Sequence, residues 1–200
     1  MSETLVLAFV PGVTPAKWVR VWRERMPRVA IDLRPLAEAE ALQSLITGEA
    51  TVALLREPFA RDGLSAIPLY EEIAVVVVPK DHAIAAFDEI SRADLADENV
   101  LSGDPREAVE LVAANVGVAI MPQSVARLHS RKDVVARPVR DEESTRIALA
   151  WRENGTTASI EEFVGIVRGR TANSSRGQAG PSAPQPAPKK TNRTAKPRRR

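Results

Sequence analysis

Cysteine is absent from the 200 residues, which removes disulfides, thiolate metal sites and cysteine nucleophiles together. The lack of cysteine also fits a reducing compartment. Histidine is scarce. His82 and His129 are the two present, and neither has a partner at the short spacing of a zinc site. No metal and no cofactor is therefore expected. Isolated glycines such as Gly12 and Gly117 do not make a phosphate loop, and no nucleophile elbow occurs, so no enzyme is expected either. Aromatic residues supply only 4% of the chain, so the core must be built from Val, Leu, Ile and Ala. No apolar run approaches the ~20 residues of a membrane span. The first residues carry Glu3 and no basic stretch, so no secretory leader and a cytoplasmic location are expected.

What is present divides unevenly. Of the 28 Lys and Arg, nine fall between Gly169 and Arg200, and none of the 26 Asp and Glu does. The first 168 residues thus hold 19 basic against 26 acidic side chains, an acidic body with a basic tail. Apolar residues vanish from 169 onward, and Pro, Ser, Gly and Ala dominate. Such a segment cannot bury enough surface to offset its ordering entropy, so disorder is expected over 169–200. Lys189, Lys190, Arg193, Lys196, Arg198, Arg199 and Arg200 could grip phosphates without reading sequence. The alternative is a solvated tail.

The body alternates strand and helix patterns. Leu5 to Val10 reads as a buried strand, and Thr14-Pro15 as an N-cap with proline at the first helical position. Trp18, Val19, Trp22 and Met26 then share a helix face, and Pro27 ends it. Ile31 to Leu36 reads as a strand with Pro35 at an edge or exit. A helix from about Glu38 would bury Ala39, Leu42, Leu45 and Ile46, with Gly48 closing it. Thr51 to Leu55 is the third strand. This β-α-β-α-β order predicts a parallel sheet.

Further strands are expected at 64–69, 73–78, 134–139 and 145–151. The run Ile73 to Val78 has no polar alternation and reads as buried on both faces. A short turn of helix fits 92–96 and a short strand 99–101. A helix over 106–115 leads into a strand at Gly117 to Met121, and a second helix over 122–131 starts at Pro122. Ser159 to Glu162 resembles a capping box opening a last helix to about Arg168.

Several motifs in this order resemble the effector-binding domain of LysR-type transcriptional regulators. They are Phe9-Val-Pro-Gly-Val-Thr14, Gly48-Glu-Ala-Thr-Val-Ala-Leu54, Ile67-Pro-Leu-Tyr70 and Val76-Val-Val-Pro-Lys-Asp-His82. Asp94-Leu-Ala-Asp97 and Val112-Ala-Ala-Asn-Val-Gly-Val-Ala-Ile-Met-Pro122 continue the match. The resemblance implies a two-lobed α/β fold of the type 2 periplasmic-binding-protein kind, with a ligand cleft between the lobes. It implies one domain over 1–168, with lobe I from 4–70 and 145–168 and lobe II from 71–144. Three departures stand out. No helix-turn-helix of the family is expected, since the first strand reads from Leu5. Thr51 stands where the family usually has Asp. The stretch between Leu101 and Glu110 is much shorter than in the family, so a trimmed second lobe is expected.

The resemblance points to Val13, Thr14, Arg56, Ser102, Gly103 and Gln123 as ligand-binding residues. Thr14 would place a hydroxyl and free N–H groups toward a carboxylate; the plain alternative is an N-cap. Arg56 offers a guanidinium fork for a carboxylate; the alternative is a surface pair with Glu57 or Asp62. Ser102 and Gly103 offer a hydroxyl and a close backbone approach. Gln123 would reach across the cleft, or else simply start a helix. Trp18, Trp22 and Met26 are either core or an assembly surface, because family members pair the first helix and second strand with a lobe II helix, here 122–131, of another subunit. The expected function is sensing of a small anionic metabolite, without the chain's own DNA-binding part, through a homodimer or by joining a LysR-type regulator. The alternative is an interaction module with a dead cleft and a tail that binds nucleic acid non-specifically. No membrane partner is expected.

Overall fold

Leu5, Leu7 and Ala8 are buried on the first strand, β1 (Thr4–Phe9), and this strand seeds the first sheet. The computed structural model describes residues 3–170. β1 pairs in parallel with β2 (Ala30–Pro35) on one side and β3 (Val52–Glu57) on the other. The two crossovers run through α1 (Ala16–Arg25) and α2 (Glu38–Thr47). β9 (Thr145–Arg152) then pairs antiparallel with both β3 and β4 (Leu64–Glu72), giving the order β2-β1-β3-β9-β4. The sheet is therefore mixed, with a parallel half as the early alternation predicts. β2 lies at its edge, and Pro35 is its last residue, where a missing N–H costs least.

The core of this sheet is aliphatic with two aromatic posts. Trp22 and Phe163 are both fully buried and meet edge to face with ring centroids 5.8 Å apart. Phe163 lies on α5 (Ala158–Val167). Trp18 is also buried, and Lys17 lies over its ring, so both α1 tryptophans serve the interior. Thr51 accepts a hydrogen bond from the Val6 N–H at 3.1 Å, which ties the entry of β3 to β1.

The second sheet is β6-β7-β5-β8, built from β5 (Ala74–Pro79), β6 (Val100–Leu101), β7 (Val118–Pro122) and β8 (Val134–Pro138). β5 is buried from end to end, and alternation explains why. Val75 and Val77 pack with Ala119, Met121 and the helices α3 (Pro105–Ala113) and α4 (Gln123–Leu128). Val76 and Val78 point the other way, onto Ile84, Ile90, Leu95 and Val139. A strand covered on both faces has no position for a polar residue. The chain crosses between sheets twice, at Ile73 and again between β8 and β9.

The second sheet is trimmed where the sequence is short. Only Ser102, Gly103 and Asp104 separate β6 from α3. Asp104 caps that helix by accepting from the N–H groups of Arg106 and Glu107 at 2.9 and 3.1 Å, with Pro105 at its start.

Local expectations failed in four places. Pro15, not Thr14, stands at the N-cap of α1, and no side chain caps that helix. α2 buries Ala41, Ser44 and Leu45 while Ala39 and Ile46 are exposed, so its inner face is rotated from the one the apolar residues suggest. Pro122 ends β7 in an extended conformation instead of entering the helix, and α4 is only six residues long. α5 is capped by Thr157, whose hydroxyl accepts from Ile160 N–H, while Ser159 donates to Glu3 at 2.6 Å. At α1 and α5 the cap shifts by one or two residues, at α2 the buried face itself is rotated, and at α4 the helix is shorter than expected.

Candidate functional site

A cavity of about 680 Å³ opens where the ends of β1 and β2 and the start of α2 face α4. Its walls join the two sheets: Val13, Thr14, Leu36 and Glu40 come from the first side, Ser124, Arg127 and Leu128 from the second. The volume is that of a small-molecule site, and the walls are mostly apolar with a few polar groups. Arg127 and Glu40 supply one charge of each sign. Thr14 is exposed and makes no capping bond, so its hydroxyl is available at the rim.

At the base of this cavity the two sides touch. Gly12 has φ +86°, and a Cβ placed there would lie 2.4 Å from Ser124 Oγ and 2.9 Å from the Ser124 carbonyl carbon. Only glycine permits both the backbone conformation and the approach. Gly12→Ala is therefore expected to cost at least about 1–2 kcal/mol from the left-handed backbone alone, with the contact to Ser124 adding to it. Urea denaturation checks this, and wild-type stability would mean that the loop yields freely.

Arg56 is not a free ligand-binding fork. Its side chain is 6% exposed and every nitrogen is engaged. Nε donates to Glu72 Oε2 at 2.9 Å, one terminal nitrogen pairs with Glu38, and the other donates to the Pro11 carbonyl at 3.0 Å. Neither Glu57 nor Asp62 is its partner. Glu38 is in the first turn of α2 and Glu72 ends β4, so Arg56 ties the loop before Gly12 to the crossing between sheets. Burial raises the Tyr70 hydroxyl above its ordinary pKa, with Glu72 adding to the effect and Arg56 opposing it.

The remaining sequence candidates scatter. Val13 and Thr14 line the cavity. Ser102 and Gly103 lie in the link between β6 and α3 and do not line it. Gln123 does not line it either; its backbone N–H is held by the Ile73 carbonyl at 3.0 Å, and the next residue, Ser124, faces the cavity instead. Glu40 and Ser124, in the first turns of α2 and α4, and Arg127, in the last turn of α4, were missed because these short helices carry no local cue to their phase. Glu72 was missed because its partner is sixteen positions away. Of the basic tail, residues 171–200 lie outside the described residues. Among the described residues no group of acids and histidines is placed to hold a metal ion, and no helix is long and apolar enough to cross a membrane.

Two sheets linked by two crossings, with a cavity between them, define the architecture of type 2 periplasmic-binding-protein-like effector domains. Solved structures agree. The effector binding domain of a BenM variant superposes with a TM-score of 0.72 at 19% identity, covering 84% of this chain and 94% of that one. The reduced OxyR regulatory domain from Pseudomonas aeruginosa gives 0.66 at 19%, covering 84% and 95%. The sequence profile of the LysR substrate binding domain matches residues 1–108 and 102–172, and the chain belongs to that family. The two matches overlap at 102–108, the point where the link between β6 and α3 is short.

Among relatives, the Hca operon transcriptional activator HcaR of Escherichia coli K12 is 25% identical over 206 residues, covering 86% of this chain and 69% of that protein. A probable hydrogen peroxide-inducible genes activator of Streptomyces viridosporus is 26% identical over 203 residues, covering 84% and 65%. The chain thus spans about two thirds of the length of these relatives. Since 86% of 200 residues is 172, the 206-residue match to HcaR contains gaps in this chain.

Proposed function

We propose that the domain senses a small effector, a carboxylate metabolite, in the cavity between its two sheets, and passes the bound state to a transcription regulator. The observation that carries this reading is the cavity itself, whose walls come from both sheets, so that one ligand would bridge them. In this reading residues 4–70 with 145–168, and 71–144, are two lobes that change their spacing when the ligand binds. Thr14 and Arg127 are the groups assigned to the carboxylate. A solved relative is described as the BenM effector binding domain with its effector benzoate, which makes aromatic acids the first probes. Other relatives are named for hydrogen peroxide, but these 200 residues hold no cysteine, so a thiol of this chain does not read the signal.

The output is assigned to self-association or to joining a LysR-type regulator in the cytoplasm, through α1 and β2. A groove of about 690 Å³ lined by Arg20, Arg23 and Leu33 runs over that surface. The experiment is a thermal-shift titration against small carboxylates, benzoate included. A ligand at 100 times its Kd is expected to stabilise the fold by ~2.7 kcal/mol, and Thr14→Ala or Arg127→Ala should abolish the shift. Silence across the panel from a cooperatively melting sample would sink the reading.

A further inference from the structure

Two acids stand in the first turn of α2, and their surroundings differ. Glu38 is taken by Arg56. Glu40 lines the cavity between the sheets, and its Oε2 accepts from the Ala37 N–H at 3.3 Å. Arg127 lines the same cavity from α4, on the other side. Among the described residues neither Glu40 nor Arg127 forms an ion pair, with each other or with any third group. Both are exposed. Leu128, next to Arg127, lines the cavity as well and is 56% exposed, so part of the apolar wall is also uncovered.

This arrangement does not suit a plain acid. A carboxylate bound at Arg127 shares the cavity with Glu40, and like charges brought together are costly. Two opposite charges on facing walls, not joined in a salt bridge, complement a molecule that carries the same two charges itself. A cavity of about 680 Å³ holds one small molecule, so both charges face the same ligand. Glu40 keeps an oxygen for it, because only Oε2 is engaged by Ala37. The rest of the wall is largely apolar, with Phe9, Val13 and Leu36 on the first side.

We infer that the effector is a zwitterion, with its carboxylate on Arg127, its ammonium on Glu40 and an apolar body joining the two. The inference rests on the cavity being the effector site, keeps the carboxylate assigned there and adds the second charge. Glu40 then sets specificity in both directions: it attracts an amino acid of this shape and repels the acid that lacks the amine. Because Glu40 belongs to the first side and Arg127 to the second, the ligand's two ends tie the two sides together.

The test is isothermal titration of the full chain with para-aminomethylbenzoate, a zwitterion at neutral pH, against para-methylbenzoate, the same acid without the amine. The zwitterion is expected to bind at least tenfold tighter, a difference of about 1.4 kcal/mol. Glu40→Gln should shrink that ratio below threefold. The variant keeps its fold, because glutamine at this helix position accepts from the Ala37 N–H as glutamate does; an unchanged melting temperature checks this. Arg127→Gln should weaken both ligands at least tenfold. If para-methylbenzoate binds as tightly as the zwitterion, or if the ratio survives Glu40→Gln, the zwitterion is overturned and the effector reading stands. Undiminished binding by Arg127→Gln also overturns it. So does the absence of binding by either probe, and silence across the wider carboxylate panel separately marks failure of the effector reading.

Discussion

Replacing Arg56 with methionine is expected to lower the unfolding free energy by about 3–5 kcal/mol. Methionine keeps much of the apolar stem, so the loss is electrostatic. Arg56 and Glu72 have side chains only 6% and 4% exposed, and the substitution leaves Glu72 buried without its cation. It also leaves the Pro11 carbonyl without its donor. A charge stranded in the interior costs far more than the pair contributed. A second variant separates the two quantities: changing Glu72 to leucine as well should recover a large part of the loss, because an apolar pair replaces an ionic one. Urea denaturation of the single and double variants is the measurement. A single-variant loss below about 1 kcal/mol, typical of exposed pairs, would mean that water reaches the site.

Trp22→Ala is expected to cost about 3–5 kcal/mol, in the range for removal of a fully buried aromatic. Three effects add. The whole indole is buried, its Nε1–H donates to the Val29 carbonyl at 3.0 Å, and its ring meets Phe163 edge to face. Phe163 is held on α5 and Trp18 on α1, and the other buried residues of this core are aliphatic, so the cavity term should persist. Chemical denaturation should move the midpoint with an unchanged slope. A loss under about 1.5 kcal/mol would show that α1 and α5 close the gap.

The alternation of strand and helix was legible in the sequence because apolar periodicity survives any local uncertainty. Val75 to Val78 have no polar neighbour between them, and the strand is covered on both faces as that pattern requires. The short link from β6 to α3 was visible as a short count between Leu101 and Glu110. Gly48 was legible as a helix end, since its φ of +84° is one that side chains avoid. The candidate site was only half legible. Val13 and Thr14 follow a turn whose position is fixed by Pro11 and Gly12, and they line the cavity. Gln123 missed by one residue, because nothing local sets the phase of a six-residue helix.

Arg56 marks the limit most clearly. Its sequence neighbours Glu57 and Asp62 were the nearest available partners, yet it pairs with Glu38 and Glu72. In an antiparallel sheet the residues that share a face are fixed by register, and register is a property of β3, β9 and β4 together. The sequence by itself determined the class of fold, the aliphatic core and the absence of thiol chemistry, because composition and periodicity act locally. Which charges meet, which face the cavity unpaired, and that Gly12 rests on Ser124 were decided only when the two sheets came together. Those contacts join residues from 11 to 124, and no short-range pattern encodes such distances.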